Sequence, residues 1–220
     1  MKIFKAILLT VAWIIITQLI ALWLLLIPDE TTHFENIIKA SDLITRVVVL
    51  VLLIGLLLVF KQYDSLKFNR ASSIYYLAAI ILGIGFVFFQ PILAIIYHLD
   101  FSTDYFRREF SMELLSTYPL VVISSVILAP ITEELFFRGF ILRGLLENYG
   151  AVIAILVSSL LFSSIHIPMD KMIFGYDWSF WQVFMTVFGG AVAGFLFYKS
   201  KSIIPPILYH MFWNLTAAVT

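Results

Sequence analysis

Leu120-Val-Val-Ile-Ser-Ser-Val-Ile-Leu-Ala-Pro-Ile-Thr-Glu-Glu-Leu-Phe-Phe-Arg-Gly-Phe-Ile-Leu142 is the stretch whose reading decides the fold. It is long enough to cross the hydrocarbon core of a bilayer, which takes about 20 residues as a helix. Yet it holds Glu133, Glu134 and Arg138, and each charge inside a membrane costs roughly 2.5–3.5 kcal/mol on the insertion scale. Either the stretch is not a span, or these three side chains are paired or functional. The rest of the chain decides between the two.

Of the 220 residues, 62% are hydrophobic and 13% are charged, with a mean hydropathy of +1.02. A soluble domain has about 45–50% apolar and about 25% charged residues, so the charge here cannot coat a water-facing surface of this size. A disordered chain, a coiled coil and a nucleic-acid binder are excluded by the same composition. Lys plus Arg and Asp plus Glu both number 14, so no broad basic or acidic face selects a partner. There is no cysteine, hence no disulfide, thiolate metal site or cysteine nucleophile. The expectation is an all-α fold, one polytopic bundle of about seven to eight transmembrane helices over residues 1–220, with the lipid bilayer as its surroundings.

Seven spans can be placed. The first is Phe4 to Ile27, before Pro28; it is too long for a signal-peptide core and no small-residue cleavage site follows. The second is Leu43 to Phe60, with Arg46 near one end, expected to snorkel to the interface. The third is Ala71 to His98, with Gly83, Gly85 and Pro91 inside. The fourth begins near Leu114 and runs through Pro130 toward Glu147, bent at the proline. Ala151 to Ile167, Phe180 to Tyr198 and Ile203 to Val219 complete the set, the last being short for a full crossing.

With a cytoplasmic N-terminus, Lys2, Lys5, Lys61, Lys67, Arg70, Arg143, Lys199 and Lys201 fall inside. Lys39, Arg107, Arg108 and Lys171 fall outside. Eight against four satisfies the positive-inside rule. The small size fits a bacterial inner membrane better than an endoplasmic reticulum. Gly190-x-x-x-Gly194 reads as close packing within the chain rather than a dimer face, and oligomeric state stays open. Trp178 and Trp181 read as part of an interface belt.

Three polar constellations remain inside the apolar segments. Glu134 and Arg138, four apart, lie one above the other on a helix and can pair. Glu133 points about 100° away and has no partner near it in sequence, so its carboxylate is available as a proton acceptor. In Phe162-Ser-Ser-Ile-His166, the histidine shares a face with Phe162. Taken alone, it reads more readily as bonded to Ser163 or to a backbone carbonyl. In His210-Met-Phe-Trp-Asn214, the histidine and asparagine project from one face; interhelical bonding is the plainer reading of a lone asparagine. The other two histidines, His33 and His98, fall in a loop and at an interface. One base carboxylate, two imidazoles and an amide together suit hydrolysis at an acyl carbon.

These motifs, Glu133-Glu134-x-x-x-Arg138, Phe162-x-x-x-His166 and His210-x-x-x-Asn214, resemble those of the CAAX protease and bacteriocin-processing family. These are intramembrane proteases related to the Ras-converting type II CAAX prenyl endopeptidase. Arg138-Gly139-Phe140 and the run from Ser202 to Leu208 match as well, so the resemblance covers a catalytic core of about 114–218. It implies that Glu133 activates water with help from His166, and that His210 and Asn214 bind the oxyanion. Glu134 and Arg138 would balance charge, and Phe162 would pack beside His166. It implies a peptide or lipidated-peptide substrate, either a prenylated CAAX-like C-terminus or a membrane or bacteriocin peptide, and no nucleic acid. Two histidines and a glutamate can in principle hold Zn²⁺, but that would consume the base, so no cofactor is expected. The competing readings are a non-hydrolytic immunity or adaptor protein of the same fold, against which the complete residue set argues, and a small transporter, which should show half-to-half symmetry.

Overall fold

The computed structural model describes residues 1–21, 34–62, 64, 68–96, 119–167 and 180–219. Among the described residues the chain forms seven helical rods and no strand. They are α1 (Ile3–Ala21), α2 (Phe34–Val59), α3 (Ser73–Ile96), a composite α4 over 119–146, α5 (Ala151–Ser164), α6 (Trp181–Ser200) and α7 (Ile204–Val219). The segments Ile3–Ile20, Ser73–Ile92 and Trp181–Ser200 are long and apolar enough to cross a membrane by themselves. The composition therefore resolves into a helical membrane bundle. His33, His98, Trp178 and the expected start near Leu114 lie outside the described residues.

The apolar surplus goes to two places. One is an outward belt: Phe4, Leu8, Val11, Ile15 and Leu19 line one exposed face of α1, and Ile74, Leu77, Ile81 and Phe88 do so on α3. In water this surface would be untenable; in lipid it is the required solvent contact. The other is the core. Val49, Leu53 and Leu57 of α2, four apart, pack with Phe136, Phe137, Ile141 and Leu142 of α4 and Phe162 of α5. Trp13 of α1 stacks on Phe136 at 4.4 Å.

α3 and α7 come into backbone contact because position 83 is glycine. A Cβ there would lie 2.5 Å from the Tyr209 carbonyl and 3.0 Å from Phe212 Cβ. In α7, Pro205 and Pro206 occupy the first turn, where no intrahelical donor is needed. Ser202 Oγ accepts from Ile204 N–H at 3.2 Å and donates to the Asn69 carbonyl at 2.5 Å.

α4 continues through Pro130 as alternating α and widened π-helical turns. The segments are Pro119–Val122, π-helical Ile123–Leu128, Ala129–Glu134, π-helical Leu135–Leu142 and Arg143–Leu146. A proline inside a helix cannot donate to the carbonyl four residues back, and the widened turn before it takes up the mismatch. Arg138 and Glu134 thus stay on one continuous rod.

The connections fix which helix ends lie together. The Met1 amino group bonds the Gly144 carbonyl and Glu147. A Cβ on Gly190 or Gly194 of α6 would meet Ser159 or Ile155 of α5, an antiparallel contact. With the Ser202–Asn69 bond, the start of α1, the ends of α2, α4 and α6 and the starts of α3, α5 and α7 share one end of the bundle. Lys2, Lys5, Lys61, Arg70, Arg143, Lys199 and Lys201 cluster with them.

Candidate active site

The intramembrane charges meet at mid-depth. At 1.5 Å per residue, Glu133 lies about 20 Å from the Leu146 end of α4, and Arg46 about 20 Å from the Val59 end of α2. α2 begins at Phe34, nine residues before the expected start of the span. Arg46 is therefore central rather than terminal and does not snorkel outward. Its guanidinium NH1 sits 3.8 Å from Glu133 Oε1. This is the partner of Glu133 that could not be read from neighbouring sequence.

Glu134 is tightly held through one oxygen. Its Oε1 accepts from Arg138 NH1 at 2.9 Å and faces His210 Nδ1 at 3.0 Å. Both partners of the Glu134–Arg138 pair have side chains 1% exposed. Arg138 also donates through NH2 to the Gly190 carbonyl at 3.0 Å and lies 4.4 Å over the ring of Phe162. The absence of a side chain at Gly190 allows this: a Cβ would stand 3.2 Å from Phe162 Cδ1 and from Ser159. Gly190-x-x-x-Gly194 thus packs inside the chain. Phe162 in turn presents its ring edge-on to His166 (4.9 Å) and His210 (5.6 Å) and orients both imidazoles.

Hydrogen bonds fix the tautomers. His166 Nδ1 lies 3.1 Å from the Phe162 carbonyl, which can only accept, so Nδ1 carries the proton and Nε2 is left as an acceptor when the ring is neutral. The backbone bond expected of a lone histidine is therefore present, and it is also what aims the other nitrogen. His210 follows the same logic: Nδ1 donates to Glu134, leaving Nε2 4.0 Å from Glu133 Oε2. Glu133 Oε2 has no hydrogen-bond partner among the described residues.

Asn214 is positioned by the first π-helical segment. Ala129 N–H bonds the Ser124 carbonyl rather than that of Ser125, and residue 130, the next donor position, is proline. The Ser125 carbonyl thus lacks its usual helical donor, and Asn214 Nδ2 fills the gap at 2.9 Å. One amide hydrogen of Asn214 is committed to the wall and the other remains for a ligand.

A cavity of about 270 Å³ joins these groups. α7 lines it with His210, Trp213, Asn214 and Ala217, α4 with Ser125, Ala129 and Glu133, and the turn after α5 with His166. Arg46, Gln90, Trp181, Gln182, Met185 and Thr186 complete the wall. Trp181 is 6% exposed and faces inward, so it does not belong to an interface belt; the first turn of α6 packs it against Phe184. Glu133, His166, His210 and Asn214 come together at this cavity, while Glu134, Arg138 and Phe162 lie behind it. Sequence reasoning missed Arg46 and Gln90 as wall residues; their signal was polarity inside a span. Among the described residues, no three His, Asp or Glu side chains form a group that could hold a metal ion.

The fold and site define a class: a helical membrane protein with a buried carboxylate–imidazole centre opening on a mid-depth cavity. Residues 115–216 match the family model described as type II CAAX prenyl endopeptidase Rce1-like. Among curated proteins the chain is similar to "Putative membrane peptidase YdiL" of Bacillus subtilis. The two are 30% identical over 103 residues, 47% of this chain and 38% of that protein. No solved structure matches it. The motif-bearing segment is thus similar to type II CAAX prenyl endopeptidases, and the chain spans well under half the length of the curated relative it matches. Arg46 and Gln90 lie outside the matched segment.

Proposed function

We propose that the protein is an intramembrane endopeptidase in which Glu133 is the general base. The observation that carries this is the contrast between the two glutamates. Glu134 lies behind the cavity, held through Oε1 by Arg138 and His210 at 2.9 and 3.0 Å, whereas Glu133 lines the cavity with its charged neighbours no closer than 3.8 Å.

A water in this cavity has two protons to donate, and the wall offers the Glu133 carboxylate and His166 Nε2 as acceptors. Glu133 takes one proton as the water oxygen attacks the peptide carbonyl carbon, and the carbonyl oxygen becomes an oxyanion. The second amide hydrogen of Asn214 donates to it. His210 can add a donor at Nε2 only as the doubly protonated ring, whose charge faces Glu134 and Glu133. The tetrahedral carbon then expels the amine, which leaves with the proton held by Glu133. Glu134 holds His210 in orientation through Nδ1, a role beyond neutralising Arg138. The donor set does not form a three-ligand metal group, so no step is routed through a metal.

The mid-depth cavity and the family resemblance support an apolar or lipid-bearing peptide substrate, of the kind at prenylated C-termini or in membrane and bacteriocin peptides. The cationic end of the bundle supports a cytoplasmic N-terminus in a bacterial inner membrane. The test is to compare peptide termini in membranes carrying the wild-type chain with those carrying Glu133→Ala. New termini that require Glu133 are expected; identical sets would refute peptidase activity.

A further inference from the structure

Gln90 of α3 is 2% exposed, and its Nε2 has no hydrogen-bond partner among the described residues. It lines the same cavity as Glu133, His166, His210 and Asn214. An amide donor buried without a partner is costly and uncommon in native proteins. Several neighbouring polar groups of the wall have partners within the chain. Thr186 bonds Ser163 and the Gln182 and Val183 carbonyls, Asn214 bonds Ser125, and Arg46 faces Glu133.

We propose that Gln90 is a substrate-binding residue whose carboxamide donates to a main-chain carbonyl of the bound peptide. The inference rests on the peptidase reading and adds to it how the substrate backbone is held. A peptide bond open to attack lies in unwound chain, and unwound chain at membrane depth has unpaired N–H and C=O groups that the protein must satisfy. Glu133 and His166 Nε2 stand in the cavity wall as acceptors. Those suit water and peptide N–H groups but repel carbonyl oxygens. Carbonyls need donors, and Gln90 brings one into the cavity from outside the three motifs.

The test uses the full chain in detergent with a pool of blocked, apolar hexapeptides, and compares wild type, Gln90→Met and Gln90→Glu. Methionine keeps the length and removes the polar group. The expected result for Gln90→Met is an unchanged or raised melting temperature, a KM about tenfold higher and a nearly unchanged kcat. Glutamate, an acceptor of the same shape, should raise KM further. A lower melting temperature with unchanged KM would show that Gln90 is structural and overturn the proposal, as would wild-type kinetics in both variants. If the wild type cleaves none of the pool, the peptidase reading fails for such peptides. The Gln90 assignment is then decided by thermal shift: it stands if the pool stabilises the wild type but not Gln90→Met, and falls if the two behave alike.

Discussion

Exchanging each of the adjacent glutamates for glutamine should separate chemistry from architecture. Glu134→Gln leaves the Arg138 guanidinium buried against the Gly190 carbonyl and the Phe162 face without its counter-charge, and takes the charged acceptor from His210 Nδ1. Removing one partner of a buried ion pair costs about 3–5 kcal/mol. At about 2–4 °C per kcal/mol for a chain of 150–250 residues, the melting temperature should fall by about 6–20 °C. Glu133 has looser partners, Arg46 at 3.8 Å and His210 at 4.0 Å. Its neutralisation should cost less than that of Glu134, because both it and Arg46 are more exposed than the Glu134–Arg138 pair, while loss of a general base lowers the rate by about 10²–10⁴-fold. Changing Glu134 to Gln and Arg138 to Met together should recover part of the lost stability, because no lone charge remains. It should not recover full activity, because His210 is no longer held. The assay pairs a melting curve in detergent with turnover of one peptide found by terminus profiling. A Glu133→Gln protein that unfolds, beside a Glu134→Gln protein that is stable but inactive, would show the assignment to be reversed.

Three further outcomes are expected. Turnover should survive strong chelation, and loss on stripping with recovery on adding Zn²⁺ would refute the metal-free mechanism. Arg46→Gln should leave the melting temperature within the range of a weak ion pair but lower kcat about 10- to 100-fold by releasing Glu133 from its position, with Arg46→Lys recovering much of it; unchanged kcat in Arg46→Gln would remove Arg46 from the mechanism. Reporter fusions near Lys2 and at Thr220 should report opposite sides of the membrane, with the N-terminal one cytoplasmic, and both termini on one side would contradict the alternation of seven rods.

Much of this was legible in the sequence because membranes simplify it. Apolar segments of span length locate the rods, and a charge inside one has to be accounted for. The i, i+4 spacing of Glu134 and Arg138, and of His210 and Asn214, predicted their shared faces. Four things were not legible. Arg46 seemed terminal because Phe34 to Asp42 is polar enough to look like loop, although it continues the helix. The π-helical turns around Pro130 leave no mark in hydropathy. The bond from Asn214 to the Ser125 carbonyl depends on those turns, so the sequence suggested two oxyanion donors where one amide hydrogen is already committed. Gln90 escaped notice because one amide in an apolar helix has no periodicity to betray it.

The same geometry explains how so much charge is tolerated at this depth. Two arginines and two glutamates, placed singly in the hydrocarbon, would cost about 10–14 kcal/mol on the insertion scale. Here they form a chain, Arg46–Glu133, His210 and Glu134–Arg138, whose formal charge is zero when His210 is neutral. The tight half, Glu134–Arg138, is fastened to α6 through Gly190 and to α5 through Phe162, and so serves as structure. The loose half, Arg46–Glu133, draws its cation from α2. A base must exchange protons and therefore cannot be tied by short hydrogen bonds. The 3.8 Å and 4.0 Å separations around Glu133, against 2.9 Å and 3.0 Å around Glu134, are where the two functions of a paired carboxylate part.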